Sequence, residues 1–146
     1  MKNYKKTETG PHTARSVVSI VAGLVVIFVL SYAVDYALES AGVLARGAAL
    51  PLYGSQGLVA FILAYRILFS VAGCYVTARL APRRPLQHAL VLGAIGVVLS
   101  TGGALVGIQK HLGPAWYLWG LVTAALPAAW AGGRIAELQV GAQAKR

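Results

Sequence analysis

Two apolar runs, residues 57–80 and 86–108, meet at the corner Ala81-Pro82-Arg83-Arg84-Pro85. Each run is long enough to cross a bilayer as a helix, which takes about 20 apolar residues. The two prolines forbid one helix through the corner, and the residue before each is pushed out of the helical region. The stretch Thr77–Ala89 therefore reads as a tight basic turn at a membrane surface, between two spanning helices.

Two further runs, residues 16–38 and 115–135, have the same character. In lipid every backbone polar group must be paired internally, and the alternation a barrel needs is absent, so all four runs must be helices. The expected fold is all-α, an integral-membrane four-helix bundle over residues 16–135, with polar tails at 1–15 and 136–146. Between the first two spans, residues 39–56 read as a loop, with room for a short interfacial helix around 43–50. The first run follows a basic start, and Ser31-Tyr32-Ala33 would suit a signal peptidase. Signal cores are only about 7–15 residues, however, so an uncleaved helix is expected.

Composition agrees with a membrane protein. The chain has 146 residues, 58% hydrophobic and 12% charged, against about 25% charged in soluble domains. The net charge of +9 would suggest nucleic acid in a soluble protein. Here the charges flank the spans, so they read as a topology signal and nucleic acid is not an expected partner. Lys2, Lys5, Lys6, Arg15, Arg79, Arg83, Arg84, Arg134, Lys145 and Arg146 fall on one side, and only Arg46 and Lys110 on the other. The positive-inside rule then places both termini and the corner in the cytoplasm. Arg79, Arg83 and Arg84 are the topology anchor, drawn to anionic lipid headgroups by about 1 kcal/mol each. Tyr32, Tyr36, Tyr53, Trp116, Tyr117 and Trp119 gather at the outer interface, with Tyr75 and Trp130 towards the inner one, as amphipathic rings prefer.

Small residues dominate two of the helices. Ala89, Gly93, Gly96, Ser100, Gly103 and Gly107 form a stripe on the third. Such residues let membrane helices approach closely. The first reading is packing within the bundle; the second is a seam between two copies, giving a homo-oligomer. On the fourth, Gly120, Ala124, Ala128 and Gly132 run beside Ala125, Ala129 and Gly133. Pro127 frees the carbonyl of Thr123, so a local kink is expected, with close packing favoured over a cavity.

Arg66 is the most informative single residue. An arginine at a helix centre costs about 2.5–3.5 kcal/mol on insertion scales, so it should face the interior and find a partner. Asp35 and Glu39, one turn apart on the first helix, share a face. Asp35 is expected to lie roughly 8 Å shallower than Arg66, a gap a long arginine stem can largely bridge. The expected intramembrane polar group is Arg66 with Asp35, shared with Glu39. It either pins helix one to helix two, lines a polar pocket for an anion or lipid headgroup, or belongs to a transport path.

Other chemistry is sparse. With one cysteine, Cys74, and four acidic residues, there is no Cys-x-x-Cys motif and no nucleophile–base–orienter set. His12, His88 and His111 fall in separate places, so no metal site is expected. No cofactor-binding motif is present, and an enzyme is not expected.

The segment from Ala64 to Gly93 resembles a group of small bacterial four-helix membrane proteins with no assigned activity. Tyr65-Arg66, Gly73, Ala78-Arg79-Leu80-Ala81-Pro82, Pro85, His88-Ala89-Leu90 and Gly93 carry the resemblance. It implies a bacterial inner-membrane location and no activity. Small multidrug-resistance transporters fit less well, since they carry a central glutamate in their first helix and residues 21–30 contain no acid. Membrane glutathione-transferase-type enzymes have a polar cluster in their second helix that is missing around Arg66. The functional expectation is an accessory or structural bundle acting through helix and lipid contacts. The alternative is a small transporter or permease-like subunit with Arg66 on its path.

Overall fold

The computed structural model describes residues 11–44 and 55–143, and these form four helices. They are α1 (Pro11–Ser40), α2 (Gln56–Leu80), α3 (Pro85–Gln109) and α4 (Ala115–Gln143). Tyr53, Arg46, the terminal lysines and most of the expected 43–50 interfacial helix lie outside the described residues. By length and apolarity α1, α2 and α3 can each cross a membrane. In α4 the run is diluted by Trp116, Tyr117, Trp119, Pro127, Trp130 and several glycines.

Helix ends follow local chemistry. Gly42 takes φ 73° after α1, and Val43 N–H and Gly42 N–H return to the carbonyls of Leu38 and Glu39 at 2.9 and 3.1 Å. This is a Schellman closure, which satisfies the carbonyls a helix end leaves free. His111 does the same after α3 at φ 53°, with Leu112 N–H on Gly107 O at 2.9 Å and His111 N–H on Ile108 O at 3.2 Å. Ser55 Oγ caps α2 by accepting from Leu58 N–H at 3.4 Å. At the corner Arg84 is left-handed, φ 50°, and Pro85 opens α3, where its missing N–H costs nothing.

Both end helices run past their apolar segments into the polar tails. Helix α1 already begins at Pro11, and α4 continues to Gln143 beyond its apolar run. The extension of α4 is packed: Ala136 is fully buried, and Tyr75 Oη on α2 donates to Gln139 Oε1 at 2.5 Å. Leu138 and Val140 in the same turns are 65% and 44% exposed. The helix persists after its apolar run ends through these local contacts with α2 and α3 rather than through mean apolarity.

Helix α2 is the hub. It meets the other three, whereas α1 and α4 lie on different sides of it and do not meet among the described residues. One core cluster, with Val59, Ile62, Tyr65, Ala104, Tyr117 and Leu118, fills the end away from the corner. The other, with Cys74, Ala78, Ala89, Leu92, Ala129 and Ala136, fills the corner end. Large apolar side chains also cover the outside: Val98 is 71% exposed, Leu68 63% and Phe28 60%.

Glycine positions set the closest crossings. A Cβ on Gly23 would fall 2.5 Å from Gly73 O, and one on Gly73 would fall 2.6 Å from Gly23 O. At that approach each glycine directs a Cα hydrogen at the other's carbonyl, a weak reciprocal bond between α1 and α2. Gly132 of α4 likewise lies against the backbone of Val71 and Tyr75 in α2.

The stripe on α3 is only partly an interface. Ala89, Gly93 and Gly107 are buried, and Gly93 meets Ala125, Leu126 and Ala129 of α4. Gly96 approaches Ala125 Cβ at 3.7 Å, and Ser100 Oγ returns to its own helix on Gly96 O at 2.6 Å. Gly103 faces open space, and Ala104 is buried instead. A seven-residue stripe follows a neighbour only while two helices coil around each other. Away from the corner α3 meets α2 as well as α4, and the line of contact steps from Gly103 to Ala104.

Candidate functional site

Three helices bring polar side chains together in the half of the molecule away from the corner. Arg66 sits on α2, on the same helical face as the buried Val59, Ile62 and Gly73, and so is directed inward. Ten residues separate it from Gln56, about 15 Å along the axis, and fourteen from Leu80, about 21 Å. It thus lies near the middle of a helix long enough to span a bilayer.

Arg66 Nη2 donates to Asp35 Oδ2 at 2.6 Å. The 8 Å offset expected along the sequence is closed by the arginine stem, which reaches along the bundle. Tyr65 Oη donates to the other carboxylate oxygen, Asp35 Oδ1. The carboxylate is therefore held from α2 by two successive residues, one cationic and one neutral. Tyr65 is 7% exposed and is flanked by the rings of Phe61 and Phe69, each 5.6 Å away between centroids. Those neighbours fix the phenol's direction.

The fourth member comes from α4. Tyr117, 5% exposed, interacts electrostatically with both Arg66 and Asp35. It lies near the start of α4, at the expected outer end, but its ring faces the other helices rather than outward. Trp116 beside it stays at the rim, 44% exposed, and its indole N–H donates to Gln56 Oε1 at 3.0 Å. Tyr32 and Tyr36 are exposed and stacked.

Glu39 does not join the pair. It lies one turn beyond Asp35, and among the described residues no ion pair reaches it. Two features leave the cluster incomplete. Arg66 Nε is buried without a hydrogen-bond partner. The side chains of Arg66 and Asp35 are nonetheless 33% and 28% exposed, so the pair is partly accessible.

The other candidates stand apart. Arg79, Arg83 and Arg84 are exposed around the corner; Arg84 Nη1 reaches only Gln87 Oε1, at 3.4 Å. Cys74 is buried, 2% exposed. No group of His, Cys, Asp and Glu among the described residues is arranged to hold a metal ion. Tyr65, Tyr117 and the Gly23–Gly73 crossing are functional or packing positions that sequence reasoning missed. Ser19-x-x-x-Gly23 and Gly73-x-x-x-Thr77 are small-residue spacings that signal the crossing. The helical register alone does not show that Tyr117 points inward. No family model matches the chain, and neither the curated proteins nor the solved structures contain a match to it.

Proposed function

We propose that the chain is a multi-pass protein of a bacterial inner membrane, with all four helices crossing and both tails and the corner on the cytoplasmic side. Its role is that of an accessory or structural bundle acting through helix and lipid contacts. One observation carries this reading: among the described residues Arg66, inside the apolar run of α2, pairs with Asp35 of α1, while large apolar side chains cover the outside of the helices. Arg79, Arg83 and Arg84, exposed at the corner, suit anionic headgroups. The exposed glycines Gly102 and Gly103 leave a lipid-facing strip on α3 that suits a second copy.

The test is single-cysteine labelling in a Cys74→Ala background. An impermeant maleimide added outside whole cells should label a cysteine at Lys110 and spare one at Arg84. The reverse pattern removes the proposed orientation, and recovery of the chain in the soluble fraction removes the membrane reading.

A second reading, a small transporter or permease-like subunit with Arg66 on its path, is favoured by the unpartnered Nε and the partial exposure of the pair.

A further inference from the structure

We infer that the Arg66 cluster is a binding site for a small monoanion, a planar oxyanion, carboxylate or halide, which enters together with one proton. This deepens the transporter reading and rests on it.

The guanidinium carries the first argument. Its Nε–H and one Nη2–H share an edge that matches two acceptor oxygens. Asp35 occupies Nη2 alone, because its second oxygen is engaged by Tyr65. Nε is left buried without an acceptor. A buried, charged donor in that state is costly and marks a place where an acceptor binds. Tyr117, buried in the same cluster, brings a further hydroxyl into electrostatic range of the guanidinium.

Charge balance supplies the proton. The groups facing the site are Asp35 and, one turn away, Glu39 on α1; Tyr65 and Arg66 on α2; and Tyr117 on α4. Between His88 and Lys110, α3 offers no titratable side chain. With Asp35 ionised, the Arg66–Asp35 pair is neutral, and an added anion would be an uncompensated charge within the bundle. A proton taken from solvent onto Asp35 removes that charge. The protonated carboxyl keeps its bond with Tyr65, and the anion takes the Nε and Nη2 edge. The balance is one proton and one anion bound, with no covalent bond changed beyond the carboxyl O–H. The guanidinium lies level with Asp35, about 7–8 Å from the end of α1, so a lipid phosphate and a free anion are told apart by the lipid composition in the experiment below.

Nitrate is a suitable probe, being planar and non-buffering. The purified full chain in neutral phosphatidylcholine nanodiscs is titrated with sodium nitrate in a weakly buffered dye solution. Saturable uptake of one proton per nitrate is expected, with affinity rising about tenfold per unit fall in pH while Asp35 is ionised. Asp35→Asn should bind nitrate without proton uptake and without pH dependence. Arg66→Lys keeps the charge but removes the paired edge, and should weaken binding at least tenfold with helix content unchanged by circular dichroism. Tyr117→Phe should weaken it less. Absence of saturable uptake in the wild-type chain overturns the proposal, as does Arg66→Lys binding at wild-type affinity. Uptake that appears only when phosphatidylglycerol is added makes a headgroup the occupant and also overturns it. Nitrate binding without nitrate flux through proteoliposomes overturns the transport reading and leaves the site standing.

Discussion

Asp35 is held to Arg66 through one carboxylate oxygen, Oδ2 on Nη2 at 2.6 Å, because Tyr65 takes the other. A bidentate arginine–carboxylate pair is the stronger arrangement. The phenol therefore replaces one of its two bonds with a neutral one and orphans Arg66 Nε. Tyr65→Phe should let the carboxylate turn onto both Nε and Nη2. The expected net change in stability is under about 1 kcal/mol, since one hydrogen bond is exchanged for another. Asp35→Asn should cost more, about 1–3 kcal/mol, because it leaves a half-buried cation without its counterion. Unfolding of both variants in mixed detergent measures the difference. Equal losses would mean that the phenol and the guanidinium do not compete for the carboxylate.

Much of this arrangement was legible in the sequence. Arg66 announces its need for a partner by interrupting an apolar run, and Asp35 is the acid nearest in depth. That pairing follows from the cost of isolated charge. Tyr65 was not legible as its companion, because it reads equally well as an apolar ring. The facing of Tyr117 was hidden for a related reason. An aromatic residue near a helix end suits the headgroup region, and only the position of α4 against α2 turns this ring inward. The same kind of limit applies to α3. Spacing identifies a small-residue face but not which neighbour it meets, so the exchange of Gly103 for Ala104 depends on how the helices cross.

That exchange separates two glycines of the same helix experimentally. Gly93 meets Ala129 and the backbone of Ala125, whereas Gly103 has open space around its Cα. Gly103→Ala should be neutral or stabilising by up to about 1 kcal/mol, from helix propensity alone. Gly93→Val should push α3 from α4 and destabilise by about 1–3 kcal/mol. Thermal denaturation in one detergent ranks them. A destabilising Gly103→Ala would instead indicate that Gly103 lies in a seam with a second copy.

Cys74 supplies a native probe of packing. It is buried among Ala78, Leu92 and Ala129, and reactivity depends on access as well as thiolate formation. The folded chain should resist a membrane-permeant maleimide that labels the denatured chain within minutes. Gly132→Leu, which drives a side chain into the α2 backbone beside Cys74, should expose the thiol. Unchanged protection in that variant would mean that α4 does not cover Cys74.

The last turns of α4 are the part of the bundle that hydropathy alone leaves out. Ala136 is completely buried, and Gln139 accepts from Tyr75 Oη at 2.5 Å. The Arg134–Glu137 pair, 3.1 Å apart and half-exposed, is a surface interaction worth well under 1 kcal/mol. Stability in this region therefore comes from Ala136 and the Tyr75–Gln139 bond. Ending the chain after Ile135 should lower stability by about 1–3 kcal/mol, through lost apolar burial and one hydrogen bond. Gln139→Ala should reproduce about 1 kcal/mol of that loss, and Glu137→Gln almost none. Unfolding midpoints of the three variants test this ordering. A truncated chain as stable as the full one would show that α4 is held by its apolar run alone.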